Sequence, residues 1–146
     1  MLAIAVAKYL AETEDDFTYS EAGGDLFIAF DPSTERAVVV MPQPGEGTYT
    51  KAPTDTPGLQ IIVRHETLHD PLPGYQLARR IYSRLACLDN VTLDEGGDDE
   101  VRVIGCDAAQ SDPVPMGVDA NDRHEFSLNF DFRTVAATAH RPLINT

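Results

Sequence analysis

Glu125-Phe-Ser-Leu-Asn-Phe-Asp-Phe-Arg133 alternates without a break. Phe126, Leu128, Phe130 and Phe132 fall on one side of a chain with period two, and Ser127, Asn129, Asp131 and Arg133 fall on the other. Such a strand has a dry face and a wet one. It belongs to a sheet covered on one side, so the rest of the chain must supply the cover and the neighbouring strands.

Candidates for both are found upstream. Leu77, Ala78, Ile81, Leu85 and Leu88 recur at helical spacing, which predicts a helix over Tyr75–Leu88 with Arg79, Arg80 and Arg84 on its other side. Leu2, Val6, Tyr9 and Leu10 predict a second, shorter helix from Met1 to about Glu12. Leu59-Gln-Ile-Ile-Val-Arg64 is rich in β-branched residues and reads as a strand. Val101–Gln110 reads as another, with Gly105 marking a bulge or a close backbone approach. The apolar runs Asp25–Phe30 and Ala37–Met41 flank the turn signal Asp31-Pro-Ser and read as two antiparallel strands.

The connections are read from composition. Thr13–Gly24 is an acidic linker. Pro42–Gly58 is rich in proline, glycine and threonine, and reads as a long loop, an arm able to reach a neighbouring molecule. Asp70-Pro-Leu-Pro-Gly74 breaks the chain. Asp94-Glu-Gly-Gly-Asp-Asp-Glu100 is a solvated acidic turn that lacks the spacing of a calcium loop. Ser111–Asp122 reads as a loop. The expected fold class is α+β: a single domain over residues 1–135, with a mostly antiparallel sheet packed by two helices. Residues 136–146 follow as an extended C-terminal tail that orders against a partner.

Length and composition agree with one domain. A chain of 146 residues buries roughly 68–70% of its unfolded surface on folding, enough for a core without metals or disulfides. Cys87 and Cys106 lie in different expected elements and read as two isolated buried thiols. No apolar run approaches the roughly 20 residues that span a bilayer. Twenty-four acids against eleven bases leave a formal charge of -13, which argues against a general nucleic-acid binder. Only Lys8 and Lys51 are lysine. An acidic, lysine-poor surface suits a protein working in concentrated salt, where charge repulsion is screened within about 3 Å at 1 M, and composition fits an acidic protein of ordinary salt equally well.

One motif points to catalysis. His65-Glu-Thr-Leu-His69 spells the H-E-x-x-H signature of zinc peptidases, with His65 and His69 as ligands and Glu66 as base. That chemistry needs both histidines on one helical face. His65 instead follows a strand-like run, and Pro71 and Pro73 stop the segment barely a turn after His69. On a strand the two histidines stand ~13 Å apart at ~3.3 Å per residue, too far for one Zn²⁺ with bonds of ~2.0–2.1 Å. The peptidase reading is the rival from another class. No G-x-S-x-G, P-loop or G-x-G-x-x-G is present, and His124 at a strand start reads as structural.

Four segments in order carry a resemblance. Pro57-Gly-Leu-Gln-Ile-Ile-Val-Arg64 is similar to a P-G-[LV]-Q-[IV]-x-V-R strand, and Gln76-Leu-Ala-Arg-Arg-Ile-Tyr-Ser-Arg-Leu85 to the helix that follows it. Ala109-Gln-Ser-Asp-Pro-Val-Pro-Met-Gly-Val-Asp119 is similar to a Q-S-x-P-x-x-x-G-x-D loop, and Arg123-His-Glu-Phe-Ser-Leu-Asn-Phe130 to an R-H-x-[FY]-S-[LV]-N-F strand. Together they resemble the tail terminator proteins of long-tailed bacteriophages, also labelled minor capsid proteins. The chain departs from them at His65–His69 and at the acidic turn around Gly96 and Gly97.

The resemblance implies a virion structural protein with no enzymatic activity and no cofactor. It implies a homo-oligomeric ring, usually a hexamer, that closes the tail tube and joins the tube protein to the head-completion proteins of the neck. Genomic DNA passes through the pore without sequence recognition. Arg79, Arg80 and Arg84 are the candidate subunit-interface residues, facing an acidic patch of the next subunit. A neck connector or stopper, also a ring, is the nearest alternative, and a ring-forming cellular protein of phage descent is another.

Overall fold

The computed structural model describes residues 1–14, 26–29, 36–46 and 54–135. Their elements run α1 (Leu2–Thr13), β1 (Leu26–Ile28), β2 (Ala37–Glu46), β3 (Thr54–Leu68), α2 (Leu72–Ala86), β4 (Asp89–Leu93), β5 (Val101–Ala108), β6 (Val114–Val118) and β7 (Arg123–Val135). One sheet takes all seven strands in the order β1-β2-β3-β7-β5-β4, with β6 also on β7. The acidic linker to Gly24, the Asp31-Pro-Ser turn and the tail over residues 136–146 lie outside the described residues.

The alternating strand is the centre of the sheet. Along one edge β7 pairs antiparallel with β3 from Leu68↔Arg123 to Thr54↔Val135. Its other edge is divided: β6 takes Val118↔His124 to Val114↔Ser127, and β5 takes Ala108↔Phe130 to Arg102↔Val135. Both helices cover the face carrying Phe126, Leu128, Phe130 and Phe132, each at most 3% exposed. Tyr75 of α2 meets Phe126 edge-on with ring centroids 6.0 Å apart, and Tyr82 meets Phe130 at 6.1 Å. Gly74 allows this close approach, since a Cβ there would stand 3.1 Å from the Phe126 ring. From α1, Ala3, Ala5, Val6, Ala7 and Leu10 enter the same core, and the small alanines let this helix lie low on the sheet.

The α+β reading holds, but five local expectations change. β1 and β2 are parallel, with Leu26↔Val38 and Ile28↔Val40, and not an antiparallel hairpin. Parallel neighbours usually need a long crossover. Here β1 is three residues long, so the return spans only ~10 Å, within reach of a short connection. Ala29, at φ 56°, turns the chain out of β1.

The Pro/Gly segment is largely strand and not loop. Pro42↔Leu59 and Gln43↔Gly58 continue the β2–β3 ladder to a bulge before Glu46, while residues 47–53 lie outside the described residues. β1 pairs with β2 only as far as Val40, so among the described residues Pro42 and Pro44 sit where their missing N–H interrupts no second ladder. The prolines at 71 and 73 open α2 instead of ending the preceding segment. Pro71 is the N-cap, and Asp70 Oδ1 accepts the Leu72 N–H at 3.0 Å. Two further strands went unread. β4 is short and polar with Asn90 at φ 53°; β6 reads as loop in the sequence because Pro115 and Gly117 punctuate it. The expected bulge at Gly105 is present between Val103 and Gly105, where the Arg133 guanidinium lies over the missing side chain.

The cysteines are both free, but only one is buried as expected: Cys106 is buried and Cys87 exposed. Burial, then the negative charge of Asp107, pushes the Cys106 thiol up to about 12. Since the thiolate is the nucleophile, native protein at pH 8 should release one equivalent of thionitrobenzoate from Ellman's reagent, and two in urea. Two equivalents from native protein would show that Cys106 is accessible.

Candidate functional site

On the face opposite the helices, Arg64 and Glu125 are cross-strand neighbours on β3 and β7. Arg64 Nη1 stands 3.4 Å from Glu125 Oε2, and its Nε 3.8 Å from Asp119 Oδ2. Arg123 grips the same Asp119 oxygen through Nε and Nη2, each at 2.8 Å. The other Asp119 oxygen accepts the backbone N–H groups of Asn121 at 2.9 Å and Arg123 at 3.0 Å. The side chains of Arg64 and Arg123 are only 3% and 5% exposed. Burial alone would raise the Asp119 carboxyl. The two N–H bonds and the Arg123 guanidinium outweigh it and hold the group below the ordinary carboxylate range.

This cluster locks the β6–β7 hairpin onto β3. Its members come from three of the four segments that resemble the family: the V-R end of the first, the G-x-D end of the third and the R-H start of the fourth. Beside it runs an uncharged line of side chains. Gln43 Nε2 donates to Gln60 at 3.2 Å, and Gln60 Nε2 to Ser127 Oγ at 3.1 Å. Asn129 Nδ2 donates to the same hydroxyl at 3.2 Å. Sequence reasoning named none of these as site residues. The motif letters were the signal.

Arg79, Arg80 and Arg84 lie together on the outer side of α2, with side chains 45–47% exposed. They have partners within the chain. Glu14 at the end of α1 takes Arg84 at 3.2 Å and Arg80 at 3.9 Å. Arg79 donates to the Ser111 carbonyl at 3.1 Å, approaches Asp112 at 3.7 Å and stacks 4.7 Å above the Tyr82 ring. Tyr75 donates its hydroxyl to Asp112 at 2.7 Å. The arginine side is thereby tied to the segment that leads into β6.

The acidic turn is more than a solvated connection. Asp94 and Asp99 take the Lys8 ammonium at 3.1 and 3.2 Å, and Asp99 also takes the N-terminal amino group at 3.1 Å. The N-terminal amino group and Lys8 hold the Asp99 carboxyl below its ordinary range. Glu95, Asp98 and Glu100 of the same turn are exposed.

The H-E-x-x-H segment is extended and not helical: His65 to Leu68 belong to β3, and His69 leaves it at φ 66°. The Nδ1 of His65 accepts the Thr67 N–H at 3.1 Å. The geometry of a zinc peptidase, two histidines one helical turn apart, is contradicted. Among the described residues no group of three or more His, Cys, Asp or Glu side chains is placed to hold a metal ion, and no helix is long and apolar enough to cross a membrane.

Comparison with the curated proteins finds no match. A family model described as bacteriophage tail terminator protein matches residues 10–135, from the end of α1 to the last residue of β7. The matched span contains the whole sheet and the ion cluster built from the resembling segments, so the chain belongs to the bacteriophage tail terminator family and is a structural component of the phage tail.

Proposed function

We propose that the protein closes the finished tail tube as a ring, hexameric by the family resemblance, and joins it to the neck, with DNA passing through the centre. The observation that carries this reading is a pair of exposed patches of opposite charge, both anchored on α1. At the helix end, around Glu14, stand Arg80 and Arg84, with Arg79 beside them; the acidic turn, held by Asp94 and Asp99 to Lys8 and the N-terminal amino group, carries the exposed Glu95, Asp98 and Glu100. Exposed patches of opposite charge on one molecule favour head-to-tail association, the heterologous contact from which closed rings are made. The guanidinium groups of Arg79 and Arg84 are half exposed, and each carries five N–H donors in a planar fork that suits a carboxylate. Net acidity suits a conduit, because a lumen that repels phosphate does not hold the genome. Tube protein on one side and a head-completion protein on the other are the partners. The shortage of lysine supports a high-salt setting for the particle.

Light scattering on a sizing column, in low and high KCl, tests the ring. The expected molar mass is about six times the 16.0 kDa of the chain, and thermal stability rises with salt. Changing Arg79, Arg80 and Arg84 together to glutamate should weaken assembly at least about 100-fold, since like-charge contacts cost several kcal/mol. Reversing Glu95, Asp98 and Glu100 to lysine in the same chain should restore it. A wild-type monomer that also fails to cap purified tails would overturn the reading.

A further inference from the structure

We propose that Glu14 is a built-in restraint on assembly. It neutralises, from within the chain, the arginines that the acidic turn of a second copy meets from outside, and so raises the subunit concentration at which rings form; this rests on the ring reading above. Glu14 is the C-cap of α1, and its backbone is already extended, at φ -122° and ψ 115°. Its side chain returns to α2, where Oε1 accepts the Arg84 Nε–H at 3.2 Å and Oε2 stands 3.9 Å from Arg80. The carboxylate gains nothing from its own helix. A helix C-terminus carries partial negative charge, and the last turn of α1 holds no basic residue to offset it. Arg84, by contrast, stands in the last turn of α2, where a cation is favoured. Glu14 is therefore placed for α2 and against the preference of α1.

The pattern of exposure decides what this contact can do. The Glu14 side chain is 11% exposed, and those of Arg80 and Arg84 are 47% and 46%. The carboxylate lies beneath the cations, which remain open to a partner. With Tyr9, Ser83 and Cys87 they border a cavity of about 450 Å³ between α1 and α2. The Tyr9 and Ser83 hydroxyls and the Cys87 thiol donate to backbone carbonyls of α2, at 3.5, 3.0 and 3.3 Å. Recognition of an incoming group thus falls to the guanidinium groups, whose planar forks suit a carboxylate. Charge complementarity selects the acidic turn of a second copy. There Lys8 and the N-terminal amino group already neutralise Asp94 and Asp99, so the exposed Glu95, Asp98 and Glu100 carry the attraction. Glu14 sets a like charge against them, which weakens the encounter. Among the described residues, Glu14 and Asp112 leave the three guanidinium groups of the patch one net positive charge, and without Glu14 it is two.

The test compares the full chain with Glu14→Gln, which keeps the size of the side chain and removes its charge. The midpoint concentration of assembly is read by light scattering over a dilution series in low KCl, and circular dichroism checks the fold. The midpoint should fall at least about five-fold in Glu14→Gln. The gain should shrink below about two-fold in 1 M KCl, where charges are screened beyond about 3 Å. Glu14→Asp keeps the charge but draws it back from Arg84, so its midpoint should fall between the two. Glu12→Gln makes the same change in net charge at an exposed position of α1 and should move the midpoint less than about two-fold. In a chain that also carries Glu95→Gln, Asp98→Asn and Glu100→Gln, removing the Glu14 charge should bring no gain. Assembly of Glu14→Gln no tighter than wild type, with the wild-type ring intact, would overturn the proposal and leave the ring standing. An equal gain from Glu12→Gln would overturn it as well, since net charge alone would then account for the effect. So would a gain that survives loss of the acidic turn. Monomers of both chains at every concentration would remove the proposal and the ring together.

Discussion

Asp119→Ala is expected to lower the free energy of unfolding by about 3 kcal/mol and the Tm by roughly 6–12 °C at a fixed protein concentration. The size follows from what is left behind. Asp119 is the acceptor of Arg123 at 2.8 Å and a neighbour of Arg64 at 3.8 Å, and both arginines are almost wholly buried. Removing the carboxylate leaves the Arg123 guanidinium without that acceptor. Two turn N–H groups, those of Asn121 and Arg123, lose their bonds as well. Asp119→Asn keeps a carbonyl for the turn but not the charge, so it should recover about 1 kcal/mol of the loss. The pH dependence has a fixed sign. A carboxyl held below its ordinary value stabilises the fold above the unfolded pKa of ~3.9, and that contribution fades as pH falls through the folded value. Wild type should therefore lose stability below about pH 4 more steeply than Asp119→Ala. Equal acid sensitivity of the two would show that the cluster holds no charge worth keeping.

Phe130→Ala is expected to cost about 4 kcal/mol, or roughly 8–16 °C of Tm. Phe130 is 1% exposed and sits in the middle of the central strand, 6.1 Å from the Tyr82 ring and 6.4 Å from that of Phe132. Truncation removes apolar area and leaves a cavity between α2 and the sheet, where few groups can move in to fill it. The adjacent residue is the control. Asp131 points to the wet face and is exposed, so Asp131→Ala should stay within about 0.5 kcal/mol of wild type. A loss at Phe130 no larger than that at Asp131 would mean that the helices do not pack on this face.

The contrast between positions 130 and 131 is what made the fold legible. Period two over Glu125–Arg133 fixed both the strand and the side on which the helices lie, and period 3.6 over Leu77–Leu85 fixed the helix that covers it. Both are local signals carried by long elements. β1 and β2 were found but paired in the wrong sense, because strand direction depends on a return path that propensity does not encode. β6 was hidden by Pro115 and Gly117, which an edge hairpin tolerates and a central strand would not.

The ion cluster could not be derived from spacing. Arg64 and Asp119 are 55 residues apart in the chain and meet only when β3 and β7 pair. The three motif ends named Arg64, Asp119 and Arg123 without saying that they touch. For the arginines of α2, helical spacing gave the shared face, but nothing local announced Glu14 and Asp112 as their partners.

The central position of β7 has a consequence for how the protein is made. The strand that pairs with β3, β5 and β6 is the last of the described elements to be synthesised. Its ladder with β3 joins residues 61 positions apart at Arg64↔Glu125 and 73 apart at Gly58↔Asp131. Such long-range pairing folds slowly, because loop closure must precede the contacts that reward it. On the ribosome, β3 and β5 wait with open edges until Val135 has emerged, and this is the interval in which a nascent chain is most exposed to mispairing. The β6 hairpin does not exist before β7 does. The sheet is therefore complete only once translation has passed Val135, which separates the making of the fold in time from its use in a tail.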